Sequence, residues 1–424
     1  MSEAANKKKI GLTTKIFIAL LLGAAVGALL HAFAADIPAV QNILVGGVFY
    51  VIGQGFIRLM QMLVVPLVFC SLVCGAAAIG DTKTLGKVGV KTIGFYLVTT
   101  MLAVAVALSV ASLINPGLGL DMSQVQTAET AISDSSMSMT ETLLNIIPKN
   151  PIEALATGNM LQIILFALIV GLILAKLQDK VQLITNFFQQ GNDIMMEMTM
   201  MIMRAAPIGV FCLIAKTFSE LGFSAMVPMF KYMGAVLLAL VVQCLGVYQI
   251  LLKLFTGLNP FRFIRKFAPV MGFAFSTATS NATIPLSIET LEEKVGVSRR
   301  ISSFTIPLGA TINMDGTSIM QGVAVVFVAQ AFGIALTPAD YLTVIATATL
   351  ASIGTAGVPS VGLITLAMVF DSVGLPVAGI GLIMGIDRIL DMARTAVNIT
   401  GDAVCTTIVA HQDGALDKNV FNKK

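Results

Sequence analysis

The segment DRILDMARTAVNITGD, Asp387 to Asp402, places three aspartates and two arginines inside an apolar run that begins VAGIGLIMGI and continues AVCTTIVA. At about 100° per residue, Asp387, Asp391, Arg394, Asn398 and Asp402 share a sector of roughly 80°, with Thr395 at its edge. A helix here carries one polar stripe about 22 Å long on an otherwise apolar surface. Charges at membrane depth are disfavoured by about 3 kcal/mol each and mark ion or substrate paths. The packing alternative is a set of salt bridges, such as Asp391 with Arg394 or Asp387 with Arg388. Arg394 offers a planar fork of donors for a carboxylate. Asp391, one turn away, suits an ammonium group, and Thr395 and Asn398 can hydrogen-bond a second carboxylate. An amino acid with an acidic side chain uses all three features.

A second constellation is TINMDGTS, Thr311 to Ser318. Gly316 follows Asp315 in a helical setting that disfavours glycine without a reason. Asn313, Asp315 and backbone carbonyls freed by a break supply hard oxygen ligands. With no thiolate or imidazole cluster nearby, the set does not suit a transition metal. Its few formal charges fit sodium better than calcium or magnesium. Asp315 and Asp402 lack an obvious arginine partner, so each takes a proton or binds a cation.

These residues need a scaffold in lipid. Of 424 residues, 56% are hydrophobic and 12% charged, against about 25% charged in soluble proteins. Long apolar runs predict spans near 14–34, 45–77, 87–114, 143–176, 193–219, 225–256, 301–330 and 376–410, hence an all-α polytopic membrane protein rather than a β-barrel. Two more apolar segments, 261–291 and 340–372, are interrupted by Gly, Pro, Ser, Thr and Asn. They contain FAFSTATSNATIPLSIET (273–290) and ATLASIGTAGVPSVGLIT (348–365). Such backbone survives at membrane depth only when buried in protein or lining a wet cavity, and paired interruptions point to a transporter site. NATIP then TINMDGT, and TAGVP then VNITGD, read as an internal repeat. Lysines and arginines cluster at Lys7–Lys9, Lys83–Lys91, Lys176–Lys180, Arg262–Lys266 and Arg299–Arg300, and none lies between Thr92 and Pro148. Eight spans put every cluster and both termini in the cytoplasm, provided each interrupted segment is a re-entrant hairpin. The basic N-terminus with its apolar run imitates a signal peptide but reads as an uncleaved first span. The five cysteines (Cys70, Cys74, Cys212, Cys244, Cys405) read as small apolar packing residues; His31 and His411 fall at span ends. Arg58 reads as a snorkelling or boundary residue, and Glu197 with Arg204 as a structural pair near a membrane surface. The net charge of +3 gives no sign of nucleic acid.

NMDGT, SIGTAGVP and DMARTAVNITGD together resemble the dicarboxylate/amino acid:cation symporters, which include the excitatory amino acid transporters and their prokaryotic homologues, over nearly the whole chain. The resemblance implies a transporter and not an enzyme: eight transmembrane helices plus two re-entrant hairpins in inverted repeats, a homotrimer in a prokaryotic inner membrane, and elevator-type alternating access. It divides the chain into scaffold spans over 1–80 and 143–219, a third span with an external loop over 81–142, a sixth span over 220–260, and a transport core over 261–424. Substrate positions carried over are Ser280, Thr317, Val358, Gly362, Asp391, Arg394, Thr395 and Asn398. Sodium positions fall in three groups: Gly309, Asn313, Asn398 and Asp402; Thr311, Met314, Ser352, Ile353 and Thr355; and Tyr96, Thr99, Thr100, Asn313 and Asp315. Co-transported Na+ follows from the last group. One departure stands out: several prokaryotic relatives have an arginine in the first hairpin where this chain has Ala278. Arg388 on the last span is expected to reach the same region as a modulatory residue; a plain Asp387–Arg388 pair is the alternative.

Competing readings remain. A neutral-substrate carrier should lack Arg394, and a C4-dicarboxylate carrier should lack Asp391. Proton coupling is set against Tyr96, Thr99 and Thr100. An intramembrane aspartyl protease needs a raised carboxyl pKa that Arg394 would depress, and the two broken hairpins have no purpose there. A passive channel could use the same residues, and the resemblance implies that an uncoupled anion leak can accompany transport.

Overall fold

The computed structural model describes residues 12–35, 37–79, 86–120, 144, 147–221, 226–353 and 361–423. Helices make up nearly all of it. In chain order the first are α1 (Leu12–Ala34), α2 (Tyr50–Ile79, entered through a π-helical turn Val40–Phe49), α3 (Gly86–Ile114), α4 (Pro151–Thr157), α5 (Met160–Leu177), α6 (Gln182–Arg204) and α7 (Ala206–Leu221). Then come α8 (Met226–Val241) and α9 (Tyr248–Thr256), joined by a π-turn Val242–Val247, followed by α10 (Pro260–Thr277), α11 (Ser280–Thr290), α12 (Arg299–Ile312) and α13 (Asp315–Ala331). The last are α14 (Pro338–Ser352), α15 (Val361–Ser372), α16 (Ile380–Gln412) and α17 (Lys418–Asn422).

Local chemistry sets several helix starts. Asn150, Asn259 and Thr337 each precede a proline, whose fixed φ suits the first helical position. Their side chains accept from Ile152, Arg262 and Asp340 amides at 3.0, 3.2 and 3.3 Å. Asp340 returns the bond to Thr337 N at 2.7 Å, completing a capping box.

Two sets of helices pack largely among themselves. α1 lies along α7, and α2 packs on α5, α6 and α7. α3 packs on α13 and α8, while α16 touches α8 to α13. α16 also rests on α1 and α7, and α15 on α2, where the sets meet. The apolar 18-residue window of 299–331 is wholly buried within the chain, against 29% of the corresponding window of 14–34.

Among the described residues, five stretches are long and apolar enough to cross a membrane: Thr14–Ala34, Val40–Leu59, Lys87–Ile114, Val227–Thr256 and Arg299–Ala331. A bent pair, Leu165–Arg204 with Ala206–Glu220, makes a sixth. The span expected over 193–219 is therefore two helices meeting at 53°. Pro207 is the reason: it lacks an N–H, disfavours helical geometry in the residue before it, and is tolerated only in the first turn of a new helix. Among the described residues, helix in the 143–176 run comprises Leu144, α4 and α5. The charged stripe of α16 keeps it out of the apolar count.

The interrupted segments form helix pairs. α11 folds back on α10 through Ala278 and Thr279. Ala278 has φ 50° and donates its N–H to Ala274 O at 2.8 Å. α14 and α15 also pack together; residues 354–360 between them lie outside the described residues.

Candidate functional site

The break predicted at TINMDGTS is present. α12 ends at Ile312, Asn313 and Met314 leave the helical region (ψ 88° and 48°), and α13 begins at Asp315. This frees the Gly316 N–H, which donates to Asn398 Oδ1 at 2.7 Å. Gly316 has no Cβ because none fits: it would lie 2.6 Å from Arg394 O. The break in one helix thus docks on the polar stripe of another.

Along α16 the stripe is buried. Arg394 is fully enclosed and donates through Nη1 to Asp387 Oδ1 at 2.7 Å and through Nη2 to Asp391 Oδ1 at 2.8 Å. Thr395 Oγ1 donates to Asp391 O at 2.8 Å, and Asn398 Nδ2 to Met314 Sδ at 3.2 Å. Thr317 is buried, and Gly362 of α15 lies against it: a Cβ there would sit 2.7 Å from Thr317 Cγ2 and 3.7 Å from Arg394 Nη2. Ser280 is buried at the start of α11, which packs on α16. The structure therefore brings Thr317, Gly362, Asp391, Arg394, Thr395 and Asn398 together. Val358 lies outside the described residues.

One turn of α13 away is a cluster of oxygens. The Tyr96 carbonyl accepts from Thr99 Oγ1 at 3.0 Å and Thr100 Oγ1 at 2.8 Å. Thr99 Oγ1 also reaches Asn313 Oδ1 at 3.4 Å, and Thr100 Oγ1 reaches Asp315 Oδ1 at 2.6 Å. Tyr96 turns its phenol elsewhere, donating to Thr305 O at 2.9 Å, so its contribution is a main-chain oxygen. Asn313 Nδ2 donates to Asp402 Oδ1 at 2.9 Å, which joins this cluster to Gly309, whose Cα abuts the Asp402 carboxylate. In the second group, Ser352 Oγ donates to Ile312 O at 2.7 Å, tying α14 to the break beside Thr311 and Met314. Ile353 is buried where α14 ends, and Thr355 lies outside the described residues. A hard monovalent cation suits such a set: carbonyl, amide, hydroxyl and carboxylate oxygens in a dry core.

The charge balance is informative. Among the described residues the buried charged side chains are Asp315, Asp387, Asp391, Arg394 and Asp402, four carboxylates against one guanidinium. Asp387 and Asp391 share Arg394, and among the described residues no Lys or Arg pairs with Asp315 or Asp402. An ion moved from water to a protein interior costs several kcal/mol unless compensated. The site is built to receive positive charge.

Three residues with parts in this arrangement received no site role from the sequence. Asp387 was visible in the stripe but offered only as a partner for Arg388; among the described residues it accepts from Arg394. Gln243 and Tyr248 both reach Asp315 Oδ2. Their signal was present as polar residues in the apolar run VVQCLGVYQ. The side chain of Arg388 lies outside the described residues. Glu197 and Arg204 do meet, at 3.9 Å and more than three-quarters exposed, and Arg58 is exposed.

A polytopic helical fold enclosing a broken helix, a charged stripe and an oxygen cluster defines an ion-coupled membrane transporter. The chain belongs to the sodium:dicarboxylate symporter family, whose model matches residues 12–412; it is a symporter and not an enzyme. It is 38% identical over 413 residues to the proton/sodium-glutamate symport protein of Bacillus caldotenax, covering 96% of each chain. It is 36% identical to the proton/glutamate-aspartate symporter of Escherichia coli, over 97% of this chain and 94% of that one. It is also 35% identical to C4-dicarboxylate transport protein 1 of Ralstonia nicotianae, over 87% of each.

Proposed function

We propose that this symporter couples inward sodium movement to uptake of an acidic amino acid, L-aspartate, L-glutamate or both. The carrying observation is that, among the described residues, four buried carboxylates stand against one buried guanidinium. Sodium at Asp315 and at Asp402 neutralises the two that have no basic partner among the described residues. The substrate's ammonium group neutralises a third, Asp391, while its side-chain carboxylate takes part of the Arg394 fork from Asp387 and Asp391. A C4-dicarboxylate would bring no cation to Asp391. Because the Asn398 amide bonds the backbone of the Asn313–Gly316 break, ion binding at the break sets the position of a substrate-facing group. Substrate and ions thereby strengthen one another's binding.

Transport follows the elevator scheme. α3 and α8 to α16 form the moving unit, α1, α2 and α5 to α7 the scaffold, and the second hairpin, which includes α14 and α15, the external lid. The scaffold mediates a homotrimer in a prokaryotic inner membrane, with both termini cytoplasmic. Arg388, at the outer end of the stripe, replaces the hairpin arginine absent at Ala278; Arg388→Ala should change substrate affinity or rate, and unchanged kinetics refute this role.

A second reading, proton coupling, draws on the same two aspartates, which protons could also neutralise, and on the name of the Escherichia coli relative. Radiolabelled L-aspartate uptake into liposomes holding the purified protein separates the two, with sodium, potassium and proton gradients imposed in turn. Uptake that requires sodium and disappears in Arg394→Ala supports the sodium reading. Uptake driven equally well by protons without sodium overturns it.

A further inference from the structure

The sixth apolar run reads VVQCLGVYQILL and interrupts its α-helix with the π-turn Val242–Val247. In an α-helix, residues five apart point about 140° away from each other. Gln243 and Tyr248 would then face different neighbours. In the π-turn Tyr248 N–H donates instead to Gln243 O, five residues back, which stacks the two residues on one face. Both side chains end on a single atom: Tyr248 Oη donates to Asp315 Oδ2 at 2.7 Å, and Gln243 Nε2 lies 3.4 Å from it. Gln243 Nε2 also donates to Thr99 O at 3.2 Å. Its amide oxygen, in a residue with no exposed surface, has no hydrogen-bond partner, an arrangement that costs about 1–3 kcal/mol in a dry interior. α16 makes room for the phenol at Gly401, where a Cβ would lie 2.5 Å from Tyr248 Oη and 2.9 Å from Asn313 Nδ2.

We propose that the π-turn builds two further members of the Asp315 cation site: Gln243 as an additional oxygen ligand, and Tyr248 as the positioning residue that fixes the carboxylate. This rests on the reading of Asp315, Asn313, Thr99 and Thr100 as a sodium site. Tyr248 occupies Oδ2, so Oδ1, which also accepts from Thr100, is the oxygen that faces the ion. A half-turn of the Gln243 amide exchanges nitrogen for oxygen in nearly the same envelope. A cation among these oxygens repels the N–H and attracts the C=O, so its arrival turns the amide and gives Oε1 its partner. A plain α-helix would put neither residue there.

The test uses the full-length purified protein and sodium alone as the probe. Thermal unfolding is followed while sodium chloride replaces choline chloride at constant ionic strength, since a ligand that binds only the folded state raises the unfolding temperature. Gln243→Leu, which keeps the volume and removes the amide, should raise the sodium concentration for half-maximal stabilisation about tenfold. Gln243→Glu, which keeps an oxygen, should stay within about threefold of the parent, and Tyr248→Phe should raise the midpoint about tenfold. Aspartate affinity should be weakened in Gln243→Leu and Tyr248→Phe at limiting sodium and recover toward the parent as sodium rises, a sodium dependence that a general packing defect would not produce. A parent midpoint in Gln243→Leu overturns the proposal. Should that variant fail to fold, a more than tenfold weaker sodium midpoint in Gln243→Glu overturns it instead. If the parent itself gains no stability from sodium, the underlying sodium reading fails, a result distinct from either.

Discussion

The α12–α13 and α16 region and the α1, α2, α5–α7 region use the same lipid-compatible composition for opposite ends. In the first, every residue of α13 except Gln330 is buried, including Asp315, Thr317, Ser318 and Gln321. In the second, large apolar side chains point outward: Leu21, Leu22 and Phe33 on α1, Leu183 and Phe187 on α6, and Ile208 on α7 are all more than half exposed in the single chain. Polar chemistry sits where protein encloses it on all sides, because only there can broken backbone and carboxylates find partners. The outer helices supply an apolar surface that lipid or another copy can cover. The charged pair Glu197 and Arg204 of that outer set sits at its periphery, and the polar residues it buries, Thr199 and Ser219, are uncharged.

The sharpest way to break this contrast is to remove Arg394, the one buried cation among the described residues. Arg394→Ala leaves Asp387 and Asp391 enclosed without it, and truncating one side of a buried ion pair costs about 3–5 kcal/mol. Liposome uptake should fall to background and the unfolding temperature should drop; retained uptake would mean the stripe is structural. Next in size, Asp315→Asn and Asp402→Asn each remove a carboxylate that has no basic partner among the described residues. We expect a loss of sodium-dependent stabilisation of about 100-fold in midpoint with a folded protein, read by the same thermal titration. A smaller effect belongs to the contact between the helix break and the stripe: Gly316→Ala forces a methyl group against Arg394 O. Overpacking of this kind costs about 1–3 kcal/mol, visible as a lowered unfolding temperature together with weakened sodium and substrate binding. Smallest is Glu197→Gln on α6, which breaks an exposed 3.9 Å pair worth about 0–1 kcal/mol. Its unfolding temperature and sodium midpoint should match the parent; a shift in the sodium midpoint would show that the two regions are coupled.

Much of the site was legible because it lies on continuous pieces of chain. The stripe Asp387, Asp391, Arg394, Asn398 and Asp402 follows from helical periodicity alone, and the break at Asn313–Met314 from the glycine and polar residues around it. The bend at Ala205 was missed, because an apolar run conceals a change of direction that one proline suffices to cause. Gln243 and Tyr248 were missed for a different reason. Their spacing fits no α-helical face, and nothing in a window of sequence announces a π-turn.

By itself the sequence determined that this is a helical membrane protein, that charges lie at depth on one helix face, and that a second helix is interrupted beside a carboxylate, since composition and periodicity are local properties. Only the tertiary structure decided how those pieces meet: Arg394 bonding Asp387 as well as Asp391, Asn398 accepting from Gly316, and Asn313 bridging to Asp402. The same is true of Asp315, held from Thr100 on one side and from Tyr248 on the other. These pairings join residues far apart in the chain. They depend on close approach at positions such as Gly316 and Gly401 and on enclosure in a dry core, conditions that exist only once the helices have packed.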